Sequence, residues 1–174
     1  MKILVVEDHL PLRECLAHML KNLAPAGREI EVLEAGTLDE ARELLPQAHA
    51  VLCDGSFPTH RGDRPEFITV TYSNWAPVLM ECQKLKVPFV MLSAHVSLVE
   101  RLNRAGTLAF AKPGQLVDAL RSVVLLAESM VEAAERQLAI EDPRIQAADI
   151  ENSRISDEGE PEDDPKPWWK KLRD

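Results

Sequence analysis

The chain begins MKILVVEDHLPLRECL (residues 1–16), and the boundary inside that stretch decides the fold. Residues 2–7 read as a short, fully buried strand. A run of Ile, Leu and Val without polar alternation suits a strand covered on both faces. The run stops at adjacent carboxylates, Glu7 and Asp8. A buried strand has no structural need for two acids at its tip, so negative charge there serves something else. Pro11 then marks a first helical turn, where the N–H it lacks has no intrahelical partner anyway. Leu12, Leu16, Met19, Leu20 and Leu23 repeat at helical spacing until Pro25 and Gly27 stop the helix.

The same alternation continues. Residues 29–35 form a second strand, and Gly36 breaks it. Thr37-Leu38-Asp39-Glu40 is a capping box that opens a helix through Leu45. Residues 50–53 form a third strand with Asp54 at its end. Residues 55–75, with Pro58, Gly62 and Pro65, look irregular. A helix follows over 76–86, its start fixed by Pro77. A fourth strand over 88–92 ends at Ser93, and a helix over 97–105 is closed by Gly106. Leu108–Ala111 is a fifth strand that ends at Lys112-Pro113, and a long helix runs over 115–138.

Strands alternating with helices make right-handed crossovers and a parallel sheet covered on both faces, an α/β doubly wound architecture. Such sheets place ligands at the carboxyl ends of their strands. That edge receives Glu7 and Asp8, Asp54, Ser93 and Lys112 from four different strands. Two unit charges about 4 Å apart repel by on the order of 4 kcal/mol at an effective dielectric near 20. Three carboxylates in one crevice therefore need a cation, a protonated acid, or both. Lys112 supplies one positive charge, and Mg²⁺ suits a site of a few carboxylates completed by water. A phosphoryl group would fit between metal, hydroxyl and ammonium.

The stretches VVEDH, VLCDGSFP, MLSAH and AKPG, in this order and each at a strand end, resemble the receiver domain of two-component response regulators. The likeness covers about residues 1–126. It implies the flavodoxin-like receiver fold of chemotaxis-regulator type, with five strands in the order 2-1-3-4-5. It implies that Asp54 is the phosphoacceptor, charged by a phosphohistidine on a histidine kinase or histidine phosphotransfer protein. Asp8, Asp54 and the backbone carbonyl of Ser56 would ligate Mg²⁺, and Glu7 would hold a metal-bound water. Ser93 and Lys112 would each contact a phosphoryl oxygen. Phe57, Pro58 and Gly62 fall where the family shapes the loop after the acceptor. Phosphorylation would draw Ser93 and Lys112 inward and change which protein the surface of the fourth helix, fifth strand and fifth helix prefers.

The sequence also departs from that pattern. The family's aromatic three residues before its lysine is Ala109 here; Phe110 stands one place closer and reads as a core residue of the fifth strand. The segment 105–108 is one residue short. Between Gly62 and Ser93 the chain is longer than usual, and HRGDRPEFITVTYSNW carries Arg61, Asp63, Arg64, Tyr72 and Trp75. That insertion is either a solvated loop or a partner-specific rim. His9 and His95 flank site residues but lack the paired spacing of ligands. Cys15, Cys53 and Cys82 show no metal spacing and read as buried or half-buried thiols.

Along the last helix, Leu116, Leu120, Val123, Ala127, Met130 and Ala134 repeat in steps of four and three, with a second row at Val117, Val124, Val131 and Leu138. The part over 127–142 exceeds what a receiver core needs; it either docks on a partner helix or on its own copy, giving a homodimer, or is a partly exposed extension of the last helix. Residues 143–174 read as an acidic, disordered tail, with DEGEPEDD at 157–164. It ends in PKPWWKKLRD, whose Trp168 and Trp169 beside Lys170 and Lys171 suit a docking peptide for a partner groove, a segment folded back on the receiver, or a plain unstructured end. The 174 residues are enough for one domain with some excess chain. The net charge of −9 argues against a broad nucleic-acid surface. No apolar stretch nears the roughly 18–20 residues of a membrane span, and a cytoplasmic protein is expected.

No helix-turn-helix or catalytic signature follows the receiver-like part, so the function expected is stand-alone signalling through protein contacts, without substrate turnover. A receiver-like scaffold that binds partners without phosphorylation is the alternative. A small phosphohydrolase with Asp54 as nucleophile is disfavoured, because enzymes of the haloacid-dehalogenase type carry a second Asp two residues on, where this chain has Ser56.

Overall fold

The computed structural model describes residues 1–62 and 74–141, with side chains through residue 138. Strand β1 (Lys2–Val6) leads into α1 (Leu10–Asn22), then β2 (Glu31–Ala35) and α2 (Leu38–Leu44). A single 3₁₀ turn, Leu45–Gln47, precedes β3 (Ala50–Asp54). After α3 (Trp75–Leu85) come β4 (Phe89–Ser93), α4 (Val96–Arg104), β5 (Leu108–Ala111) and α5 (Leu116–Glu141). The five strands form one parallel sheet in the order β2-β1-β3-β4-β5.

Local chemistry explains most boundaries. The Thr37 hydroxyl accepts from the Glu40 N–H at 3.2 Å, as the capping box predicts. The reciprocal bond lands one residue early: the Glu40 carboxylate accepts from the Gly36 N–H at 2.7 Å. Helix α4 runs out at Arg104, and Gly106 follows at φ +81°, a left-handed turn that a side chain would oppose.

Side chains alternate across the sheet with the strand period of two. Ile3, Val5, Leu52, Val90 and Leu92 meet α1 and α5 through Leu16, Leu20, Leu120, Val123 and Ala127. Leu4, Val6, Val51, Cys53, Met91 and Ala109 face the other way, with Leu38, Val78, Cys82, Val99 and Leu102 of α2, α3 and α4. Phe110 is half-buried against the α1/α5 cluster, as expected of a core residue. Its neighbour Ala109 occupies the α4 side. Of the three thiols, Cys53 and Cys82 are buried, but Cys15 is exposed on α1, where it lies off the apolar stripe.

The free edge of β5 is closed by side chains. The Asn103 carboxamide accepts from the Ala109 N–H at 2.9 Å and donates to the Ala109 carbonyl at 2.8 Å. The Gln115 carboxamide oxygen accepts from the Ala111 N–H at 2.8 Å. An edge strand so occupied offers no ready template for another strand.

Residues Met1–Ala134 form one compact unit and Glu135–Asp174 a second. The acidic tail, Trp168 and Trp169, and residues 63–73 of the insertion lie outside the described residues. Among the described residues, no helix is long and apolar enough to cross a membrane.

Candidate functional site at the carboxyl edge of the sheet

The parallel register brings the strand ends level. Val6 pairs with Cys53, Asp54 with Leu92, and Ser93 with Ala111. The residues that follow β1 and β5, and those that end β3 and β4, therefore share one edge. Glu7, Asp8 and Asp54 each bring a carboxylate oxygen within 4.8 Å of the others. Glu7 is only 3% exposed, and Asp8 and Asp54 are half-buried.

Lys112 spans the cluster. Its ammonium donates to a Glu7 oxygen at 2.6 Å and to an Asp54 oxygen at 3.0 Å. Its own N–H donates to the Ser93 carbonyl at 2.9 Å, which ties the start of the β5–α5 loop to the end of β4. Burial works against the Lys112 charge, but Asp54 and Glu7 outweigh it and hold the pKa above its ordinary value. Asp54 goes upward too. Burial is the main cause and Glu7 adds to it, against the pull of Lys112 and a hydrogen bond from the Gly55 N–H. One ammonium shared between two carboxylates stays charged, while the Asp54 carboxylate is left under-compensated.

Ser93 is 1% exposed, and its hydroxyl accepts from the His95 N–H at 3.2 Å. The His9 N–H likewise donates to Glu7 at 3.2 Å. Both imidazoles are exposed, at the N-caps of α4 and α1.

The loop after Asp54 is pinned on two sides. Phe57 is fully buried in the α2/α3 cluster. The Leu38 and Asp39 N–H groups at the start of α2 donate to the Pro58 and Thr59 carbonyls at 3.0 and 3.2 Å. His60 pairs with Asp39, and Arg61 with Glu40. Ser56 is half-buried at the head of this loop, and Gly62 adopts φ +95°. Of the insertion residues singled out in the sequence, Arg61 is thus engaged by α2, and Trp75 packs against the core at the start of α3. Asp63, Arg64 and Tyr72 lie outside the described residues.

Two contributors escaped the sequence reading. Asn74 is buried, and its carboxamide donates to the Phe57 carbonyl at 2.7 Å and the Thr59 hydroxyl at 3.2 Å. Arg13 of α1 donates to the Glu7 carbonyl at 2.5 Å and lies 3.4 Å from Glu34. Neither residue carries a local pattern that marks it; only the folded juxtaposition does.

No family model matches this sequence, and no curated protein matches it. Solved structures do. A Francisella response regulator receiver domain superposes with a TM-score of 0.53 at 18% identity, over 74% of this chain and 97% of its own. The fold is that of a receiver domain. The response regulator TrrA from Thermotoga maritima, solved in complex with Mg²⁺-BeF, gives 0.51 at 22% identity over 72% of this chain and 97% of its own. The signal receiver domain of the response regulator NarL from Mycobacterium tuberculosis gives 0.51 at 21%, over 73% and 95%. Receiver architecture accounts for the strand order and for the edge on which the acids meet. The donor set itself, three carboxylates and hard oxygen throughout, fits a divalent cation such as Mg²⁺.

Proposed function

We propose that this chain is a phosphorylation-controlled signalling protein of a two-component or phosphorelay system, with Asp54 as phosphoacceptor. One observation carries the reading: Asp54 stands in a single cluster with Glu7, Asp8 and the Lys112 ammonium, at the carboxyl edge of a parallel sheet. Three carboxylates face one ammonium there, so the cluster is short of positive charge.

An Asp54 carboxylate oxygen attacks the phosphorus of a phosphohistidine on a histidine kinase or histidine phosphotransfer protein. The O–P bond forms as the P–N bond breaks, and the imidazole leaves with the electron pair and takes up a proton. The product is an acyl phosphate. Asp8, Asp54 and the Ser56 carbonyl would hold Mg²⁺ and Glu7 a bound water; the ion supplies the charge that offsets carboxylates and phosphoryl oxygens. The Ser93 hydroxyl donates to one phosphoryl oxygen, and Lys112 turns from Asp54 to another. The output is a change of protein partner at the surface, in the cytoplasm and without substrate turnover. Residues 1–126 would form the receiver proper, with 127–142 extending its last helix and the tail offering a docking segment.

Incubation with acetyl phosphate and Mg²⁺ is expected to add one phosphoryl mass to the chain and none to Asp54→Asn. Labelling of the Asn variant would move the acceptor elsewhere. An unlabelled native chain would favour the scaffold reading, which draws on Ala109 in place of the family aromatic.

A further inference from the structure

Gly55 follows the acceptor, and its need for a bare backbone is a matter of space. Its φ is not positive, so its conformation is open to other residues. A Cβ at Gly55, however, would lie 2.5 Å from the Ser93 hydroxyl oxygen, 3.0 Å from the Ser93 Cβ and 3.4 Å from Leu98 Cδ2. The Ser93 hydroxyl thus rests directly over the backbone that follows Asp54. Its oxygen accepts from the His95 N–H, which leaves its own proton free to be donated. Ser93 is nearly inaccessible, and its carbonyl is fixed by the Lys112 N–H. Gly55 also follows Asp54 directly in the chain, at the end of β3. One residue is thus both next to the acceptor in the chain and directly under the hydroxyl.

We propose that Gly55 is a positioning residue for phosphoryl transfer: its missing side chain leaves the space in which the Ser93 hydroxyl sits, over the backbone that follows the acceptor. The proposal rests on the reading of Asp54 as phosphoacceptor and goes beyond it. A methyl at position 55 meets the hydroxyl at a distance real Cβ atoms do not tolerate. Ser93 ends β4 and is closed in on every side, so the hydroxyl must rotate off its seat. A donor misplaced by about 1 Å slows transfer by up to roughly a hundredfold.

The test compares uptake of phosphoryl from acetyl phosphate with Mg²⁺ in the native chain, Gly55→Ala, Ser93→Ala and the double variant. Both single variants are expected to be slower by roughly ten- to a hundredfold. The double variant is expected to be no slower than Ser93→Ala, because a methyl cannot displace a hydroxyl that is gone. Calorimetric Mg²⁺ affinity of Gly55→Ala is expected to stay within about twofold of native, since the hydroxyl is not among the carboxylate ligands. Native speed in Gly55→Ala, multiplicative losses in the double variant, or a parallel fall in Mg²⁺ affinity would each overturn the proposal. If Gly55→Ala alone fails to fold, recovery of folding in the double variant supports the collision, and no recovery overturns it. A native chain that takes up no phosphoryl group fails the acceptor reading instead, and the two failures are distinct.

Discussion

Lys112 holds two carboxylates whose needs differ. Glu7 is nearly inaccessible and Asp54 half-buried, so removing the ammonium strands both. Lys112→Met keeps the length of the side chain and deletes the charge. It is expected to lower stability by about 3 kcal/mol at neutral pH, the scale of breaking one partner out of a buried pair. Urea unfolding checks this. The sign with pH follows from the raised lysine pKa. Its contribution is fully present below the ordinary 10.5 and is lost only as pH rises through the higher folded value. The same variant is expected to bind Mg²⁺ at least about tenfold more tightly. A unit and a double positive charge about 5 Å apart repel by roughly 1.7 kcal/mol even at a dielectric of ~80. Calorimetry giving equal or weaker Mg²⁺ affinity would place the ion away from the Glu7–Asp54 pair. Glu7, Asp8, Asp54, Ser93 and Lys112 were all readable from the sequence, because each sits at the end of an apolar run. The Lys112–Glu7 contact was not, since nothing local says which carboxylate a lysine a hundred residues away will prefer.

At the scale of elements, α4 and β5 are fastened where the family pattern puts a mobile aromatic. The two Asn103 bonds join the last turn of α4 to Ala109, and the Thr107 N–H returns to the Leu102 carbonyl at 2.9 Å. Asn103→Ala leaves an N–H and a carbonyl of the edge strand without their partner. The expected loss is about 1–3 kcal/mol, read from the urea midpoint. Amide exchange at Ala109 is expected to quicken beyond the global change; uniform quickening would deny the clamp. Strand parity explains why Phe110 is no substitute for the missing aromatic. A shift of one residue turns a side chain to the opposite face, so Phe110 packs toward α1 and α5 while Ala109 looks at α4. The alternation of strands and helices was legible from apolar runs, Pro and Gly, with boundaries off by one to three residues. The edge-closing amides were not legible, because Asn103 and Gln115 look like ordinary polar positions until β5 is known to be an edge.

The whole molecule divides where its core ends. Among the described residues, the last fully buried side chain of α5 is Ala127, and the residues over 132–138 are exposed. The apolar row that buries Leu120, Val123 and Ala127 on the sheet continues through Met130 and Ala134, which belong to neither core cluster. Strand order at this scale came from the likeness to receivers, since apolar periodicity names strands but not their neighbours; the likeness has no counterpart for the chain after α5. A chain ending at Ala134 keeps every member of both core clusters. Its melting temperature is expected within about 2 °C of the full chain, roughly half a kcal/mol for a unit of this size, with phosphoryl uptake at the native rate. A larger fall would mean that residues 135–174 contribute to the fold of Met1–Ala134. Sedimentation of the two forms then settles what the excess helix does. Self-pairing through it requires the full chain to run as a dimer and the shortened one as a monomer, while equal association states exclude self-pairing through residues 135–174.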